Sequence, residues 1–175
     1  MNIESEINRI HSSAKKFSQR PVWTYGGVNN DKWLLRTPLA IDYVTVEGLY
    51  LDGWCFVKDV ERCVTFNLLF FPPSGLSGPI ARIDWLPTHN HKNYGRINGE
   101  WKWKEMVRLT HAHSFDLNKK YGWGGMVDKN LPIALPVQED LNDFRALLGY
   151  IGGIWNINET QSIPVPEWSG ELDLR

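Results

Sequence analysis

The sequence predicts an α+β domain: an antiparallel sheet or meander of five to seven strands, flanked by an N-terminal amphipathic helix and a C-terminal helix. Three observations predict it. Ile3, Ile7, Ile10, Ala14 and Phe17 recur in steps of four and three, the period of one helix face. Residues 33 to 86 hold short β-prone runs rich in Val, Phe, Trp and Tyr, parted by turn residues. Leu141, Phe144, Leu148 and Ile151 draw a second helical stripe near the far end.

In chain order, the first stripe predicts a helix over residues 3–18 that Pro21 stops, and Tyr25 to Asp31 reads as turn and loop. Strands are expected at Trp33–Arg36, Tyr43–Leu51, Gly53–Val57, Arg62–Phe71 and Pro79–Leu86. Asp52-Gly53, residues 58–61 and the Pro72–Gly75 segment separate them, and such tight connections favour antiparallel neighbours. Pro87 to Lys104 reads as a long loop, a kind of segment that in small domains tends to carry function. Met106–Phe115 returns to a strand, with Val107, Leu109, His111, His113 and Phe115 alternating onto one side. Lys119 to Gly125 reads as a glycine-rich loop. Asp140, with Asp143 three residues on, is expected to cap the last helix, which Gly152-Gly153 ends.

With 175 residues, 42% apolar and 22% charged, the chain suffices for one core and is too short for two ordinary domains. Residues 1–158 are expected to form that domain and 159–175, with Pro164, Pro166 and Trp168, an extended arm. A net charge of −1 excludes a global field toward nucleic acid or anionic lipid, so any such binding must be local. The longest apolar stretch, Asn67–Phe71, is far too short to span a bilayer, and Met1–Glu6 lacks a basic head followed by an apolar run. A cytoplasmic protein without membrane association is expected, with Cys55 and Cys63 reduced. The N-terminal stripe either docks on its own chain or meets a second copy in a homo-oligomer.

Chemistry concentrates in the histidines. Four of the five lie in two His-x-His pairs, His89-Asn90-His91 and His111-Ala112-His113. On a strand, residues i and i+2 present both rings to one side, as neighbouring ligands of a metal ion must be presented. His91, His111 and His113 are therefore the expected catalytic and metal-binding histidines, with His89 as a further ligand and Asp84 completing or orienting the site. Imidazole suits zinc, copper, iron or nickel, and a carboxylate shifts the choice toward iron or manganese. A metal-free version, with two histidines as general base and general acid, stays open beside it. Against this stand plain structural roles: a core histidine bonded to main chain, solvated loop histidines, and an Arg82–Asp84 ion pair. His11, beside Ile10, reads as structural.

Between residues 92 and 120, seven Lys or Arg face three Asp or Glu, a local excess of +4. Lys92, Arg96, Lys119 and Lys120, with the interleaved Trp101-Lys102-Trp103-Lys104, suit a single-stranded nucleic acid, lysines tracking phosphates while rings stack on bases. The same tryptophans suit a core cover, with solvated lysines between them, slightly better. No Walker-type loop, dinucleotide fingerprint or Gly-x-Ser-x-Gly elbow occurs.

Arg82-Ile83-Asp84, Pro87, His91-Lys92-Asn93, His111-Ala112-His113 and Phe144 follow one another in an order that resembles a small bacterial domain family with no assigned activity. The resemblance covers roughly residues 33 to 157; His89 and the longer, tryptophan-rich Tyr94–Lys104 stretch depart from it. It favours Asp84, His91, His111 and His113 as the central set, and implies by analogy a component of a toxin, antitoxin or phage-defence system. Two functions are expected. One is a small bacterial or phage hydrolase, a nuclease on single-stranded nucleic acid with a divalent metal or histidine acid–base pair. The alternative is a non-catalytic binding or inhibitory protein of such a system, acting on a protein partner.

Overall fold

Alternation along most of four long strands sorts the side chains into an apolar and a polar sheet face, and this division decides where the histidines sit. The computed structural model describes residues 2–28, 31–59, 62–73, 75–94, 96–97, 100–101 and 106–167, with backbone alone at 96–97 and 100–101. In order these form α1 (Ile3–Ser12), β1 (Lys15–Phe17), β2 (Trp23–Gly26), β3 (Lys32–Ile41), β4 (Val44–Phe56), β5 (Val64–Phe70) and β6 (Gly78–Trp85). Then come β7 (His91–Lys92), β8 (Arg96–Ile97), β9 (Glu100–Trp101), β10 (Met106–Val107), β11 (His111–His113), α2 (Phe115–Asn118), α3 (Gly122–Asp128), β12 (Leu135–Pro136) and α4 (Phe144–Trp155). The main sheet runs β1-β3-β4-β5-β6-β11-β12, with β2 sharing the outer edge of β3, and its ladders are antiparallel. The structure thus has the expected α+β architecture, a mostly antiparallel meander with a helix at each end of the chain.

Leu35, Leu51, Cys55, Phe66, Leu68, Ile83 and Trp85 point to one face and are buried there. The helices cover that face. α4 inserts Phe144 against Phe66, Trp23 and Trp85, at ring separations of 6.1, 6.4 and 6.5 Å, while Ile7 and Ile10 of α1 join the same core. Each such side chain contributes on the order of 1.5–3 kcal/mol, which is why the alternation fixes the sheet's orientation. The opposite face carries the registered row Trp54, Thr65, Asp84, His111 and, two residues along, Asp52, Asn67, Arg82, His113.

Several local expectations are corrected. α1 ends at Ser12, not at residue 18, because Lys15–Phe17 pairs with Leu39–Ile41 as an edge strand. The buried Lys15 ammonium donates to the carbonyls of Ile10, His11 and Ser13 at 2.6, 3.3 and 2.6 Å, satisfying groups that the helix end leaves open. Burial pushes its pKa down to about 8. β3 runs on to Ile41, past Arg36, with a register shift between Pro38 and Ala40. Asp52-Gly53 does not break β4, which is continuous over Val44–Phe56. Asp52 pairs with Arg36 at 2.7 Å, and a Cβ at Gly53 would lie 2.6 Å from the Phe66 ring, so close packing rather than a turn explains the glycine.

The expected strand over 106–115 is split: β10 and β11 are separate, and Ser114 caps α2 where Phe115 begins. The expected glycine-rich loop 119–125 is helical, a 3-10 turn at Lys119–Tyr121 leading into α3, because Trp123 and Met126 are buried there. Asp143, not Asp140, caps α4, accepting from the Ala146 N–H at 2.7 Å. The helix passes through Gly152-Gly153 and ends at Asn156 in the left-handed region, φ 55°. A Cβ at Gly152 would lie 2.5 Å from Thr160 Oγ1, so this glycine is a packing notch. Beyond it, Ile163 is buried, and the Trp23 and Trp33 indoles donate to the Pro164 and Glu167 carbonyls. Residues 168–175 lie outside the described residues. Both cysteines are free thiols, and no described helix is long and apolar enough to cross a membrane.

Candidate metal centre

β11 is held between β6 and β12, so its alternation is locked: Ala112 turns to the core and His111 and His113 to the polar face. This corrects the expectation that the pair shares a side with Val107, Leu109 and Phe115. The irregular Arg108–Thr110 segment resets the strand's parity, leaving Val107 buried in a separate ladder opposite His91 and Leu109 exposed. That ladder of β7 with β10 swings His91 over the pair. The ring centroids of His91 and His113 stand 4.4 Å apart, and both lie within 5.5 Å of His111. One donor nitrogen from each of the three falls within 4.8 Å of the others, so the group can hold a metal ion.

Backbone carbonyls fix which nitrogen that is. His111 Nδ1 lies 2.7 Å from the Leu109 carbonyl and His113 Nδ1 2.7 Å from the Leu131 carbonyl. A carbonyl only accepts, so each Nδ1 carries the proton and each neutral ring keeps its lone pair on Nε2. His91 Nε2 is buried without a partner, leaving Nδ1 for the Pro132 carbonyl. This is the outer arrangement that orients metal-binding imidazoles. Burial, aided by the Arg82 charge, pushes the pKa of His91 down to about 4 and that of His113 down to about 3.

The carbonyls serving His113 and His91 belong to one strap, residues 131–134. It begins at Asn130 and Leu131, both in the left-handed region at φ 47° and 58°, a cost of roughly 1–2 kcal/mol per residue. Two buried asparagines hold it in place. The Asn93 amide exchanges bonds with Ala134 N–H and C=O at 2.8 and 3.0 Å, and Asn118 does so with Ile133 at 2.9 Å each. Each side chain imitates a strand partner for main chain that has none.

Asp84 completes the electrostatics. Its Oδ2 accepts from Arg82 Nε at 2.9 Å and lies 3.2 Å from His111 Nε2 and 3.5 Å from His113 Nε2, while Oδ1 accepts from Thr65 at 2.7 Å. Burial would raise its carboxyl, but the Arg82 guanidinium beside it holds it well below the usual carboxylate range. Arg82 Nη2 donates to His113 Nε2 at 2.6 Å. A carboxylate oxygen and an imidazole lone pair 3.2 Å apart need positive charge between them, a proton or a metal ion. One guanidinium therefore meets His113 Nε2 and the Asp84 carboxylate, with His91 Nε2 unsatisfied.

A cavity of about 360 Å³ opens over this group, with Trp54, Phe56, Cys63 and Thr88 in its walls and Arg82, Asp84, His91 and His111 among its lining. The structure thus brings together His91, His111, His113 and Asp84. His89 lies in the wall of the same cavity, its Nδ1 3.0 Å from Thr88 Oγ1, outside the group of three. Lys92 alternates away from His91 on β7 and reaches Tyr94. Lys119 pairs with Asp116, Lys120 stands over Tyr121, and neither lines this cavity. The side chains of Arg96 and Trp101, and all of Lys102, Trp103 and Lys104, lie outside the described residues. His11 stacks on Phe115 at 4.6 Å. Sequence reasoning missed Asn118, the strap carbonyls and Arg82 as a bond partner of His113; only the spacing of Asn93 to His91 gave a signal. In comparison with known proteins, the chain matches no protein-family model, no curated protein and no solved structure.

Proposed function

We propose that this chain is a small metal-dependent hydrolase of bacterial or phage origin, a nuclease acting on single-stranded nucleic acid at the His91, His111, His113 centre. One observation carries the reading: three imidazoles, tautomer-fixed through Nδ1, turn Nε2 toward one another and leave a buried nitrogen unsatisfied. Orphaned buried acceptors cost about 1–3 kcal/mol, and a divalent cation relieves them. Zinc, iron or nickel fits the imidazoles, and manganese gains if Asp84 joins. Such an ion supplies Lewis acidity. The chain's own residues do the rest: Arg82 meets negative charge on a phosphate, Asp84 orients the cluster, and the cavity limits water. The depressed pKa values of His91 and His113 favour the ligand role over acid–base duty, since a general acid must be protonated near neutral pH.

Protein purified without a histidine tag is expected to contain or take up one equivalent of metal, and to cut labelled single-stranded RNA or DNA in a chelator-sensitive way. His111→Ala and His113→Ala should each lower that rate at least about 100-fold. Absence of bound metal, with no melting shift on adding zinc, manganese or nickel, removes the metal. Unchanged cleavage in both variants removes catalysis by β11.

A second reading, a binding or inhibitory protein of a toxin–antitoxin or phage-defence system, draws on one surface. Leu86 and Leu109 are exposed at 46 and 72% beside Thr110, whose hydroxyl accepts from the Leu86 N–H and whose carbonyl accepts from Val137. A stoichiometric partner that co-purifies with the wild type and is lost with Leu109→Asp would favour it.

A further inference from the structure

The cavity over the histidines does not end at the metal centre. A second cleft of about 320 Å³ shares Trp54, Thr65, Arg82 and Asp84 with it and continues toward Asn67, Leu69 and Asn130. Together they form a channel along the polar face, following β5 from Val64 to Leu69, a span of roughly 17 Å at strand rise. The Arg82 guanidinium and the Asp84 carboxylate stand at the junction, with channel on both sides of them. Both carboxylates in its walls are paired, Asp52 with Arg36 at 2.7 Å and Asp84 with Arg82 at 2.9 Å, so neither opposes an anion alone.

We infer that this channel takes an internal stretch of a single-stranded nucleic acid rather than a chain end, with Trp54 as its stacking platform; the choice of polymer rests on the nuclease reading above. The chemistry matches unit by unit. A guanidinium fits a phosphate, an indole face fits a base, and the amides of Asn67 and Asn130 fit base edges. Trp54 is half-buried, meets Phe56 edge-on at 5.5 Å, and carries the Lys32 ammonium over its ring at 4.4 Å, a cation–π contact that leaves a base the opposite face. A site built for chain ends closes behind its reacting bond; this one runs past it. Cleavage there is hydrolysis of an internal phosphodiester: water's oxygen bonds to phosphorus, the P–O bond to one sugar breaks, and that oxygen leaves with a proton.

The test uses the full chain and two fluorescent oligonucleotides of one sequence, linear and covalently circular, read first by anisotropy with chelator present. The circle is expected to bind within about threefold of the linear strand. Trp54→Ala should weaken both by about 5- to 150-fold, the range for loss of one stacked base, and Trp54→Phe should restore most of it. A tenfold preference for the linear strand, no binding of either, an unchanged Trp54→Ala affinity, or equal binding of an uncharged glycan or polypeptide overturns the channel. With metal added, linearisation of the circle before any shortening is expected. Release of terminal nucleotides alone overturns internal cleavage, whereas tight binding of both with no cleavage leaves the channel standing and removes the nuclease reading instead.

Discussion

Replacing His91 by alanine separates a ligand from a structural ring, because the two roles predict opposite balances. In metal-free protein the variant loses the bond to Pro132, about 1 kcal/mol, and the edge-on contact with His113 at 4.4 Å, about 0.5–1.5 kcal/mol. It also removes a buried acceptor without a partner, whose burial costs about 1–3 kcal/mol. The terms nearly cancel, so metal-free stability should change by no more than about 1 kcal/mol. Metal stabilisation should behave differently. At one hundred times the dissociation constant an ion adds about 2.7 kcal/mol to the wild type, and for a chain of this size that raises Tm by roughly 5–11 °C. His91→Ala should lose nearly all of that rise. The assay is a pair of melting curves and urea titrations with and without zinc, wild type against variant. A metal-free loss above about 3 kcal/mol would show the ring to be a core element, and an undiminished zinc shift would remove it from the ligand set; either refutes the reasoning.

Asn118→Ala deletes three hydrogen bonds, two of them buried, and strands the Ile133 backbone, so it should cost about 2–4 kcal/mol in urea unfolding and weaken metal binding about 10- to 100-fold through the loosened strap; a normal affinity in the folded variant would sever strap from site. Arg82→Met removes the cation that occupies His113 Nε2 and neutralises Asp84. Metal-free stability should fall by about 2–4 kcal/mol while metal affinity rises, and a weaker affinity by competition titration would contradict competition between guanidinium and ion. The pH dependence has a definite sign. His91 and His113 titrate near 4 and 3 when folded and near 6.5 unfolded, so below pH 6.5 the unfolded chain binds more protons; their contribution is complete above that value and shrinks as pH falls toward 4. For the buried His113 the slope reaches about 1.4 kcal/mol per pH unit, and a urea midpoint equal at pH 7 and pH 5 would show that neither ring is held neutral.

Sequence alone determined the α+β class, the antiparallel meander and both terminal helices, because hydrophobic period is local and the middles of α1, α4 and β3 to β6 obey it. It also picked out His91, His111, His113 and Asp84 by residue type and spacing. Tertiary structure decided what local rules leave undetermined. Gly53 and Gly152 read as breaks, yet each exists because a neighbour, Phe66 or Thr160, approaches too closely for a Cβ. Phe17 completes a helical period, yet its backbone gains more as an edge strand on β3. The side on which β11 shows its histidines depends on where its strand breaks, and that depends on pairing with β6 rather than on residues 106–115 themselves. The convergence of the rings is least local of all. It needs β7 folded over β11, and a strap 18 residues beyond His113 held by Asn93 and Asn118, whose amides replace strand partners that the chain nowhere announces.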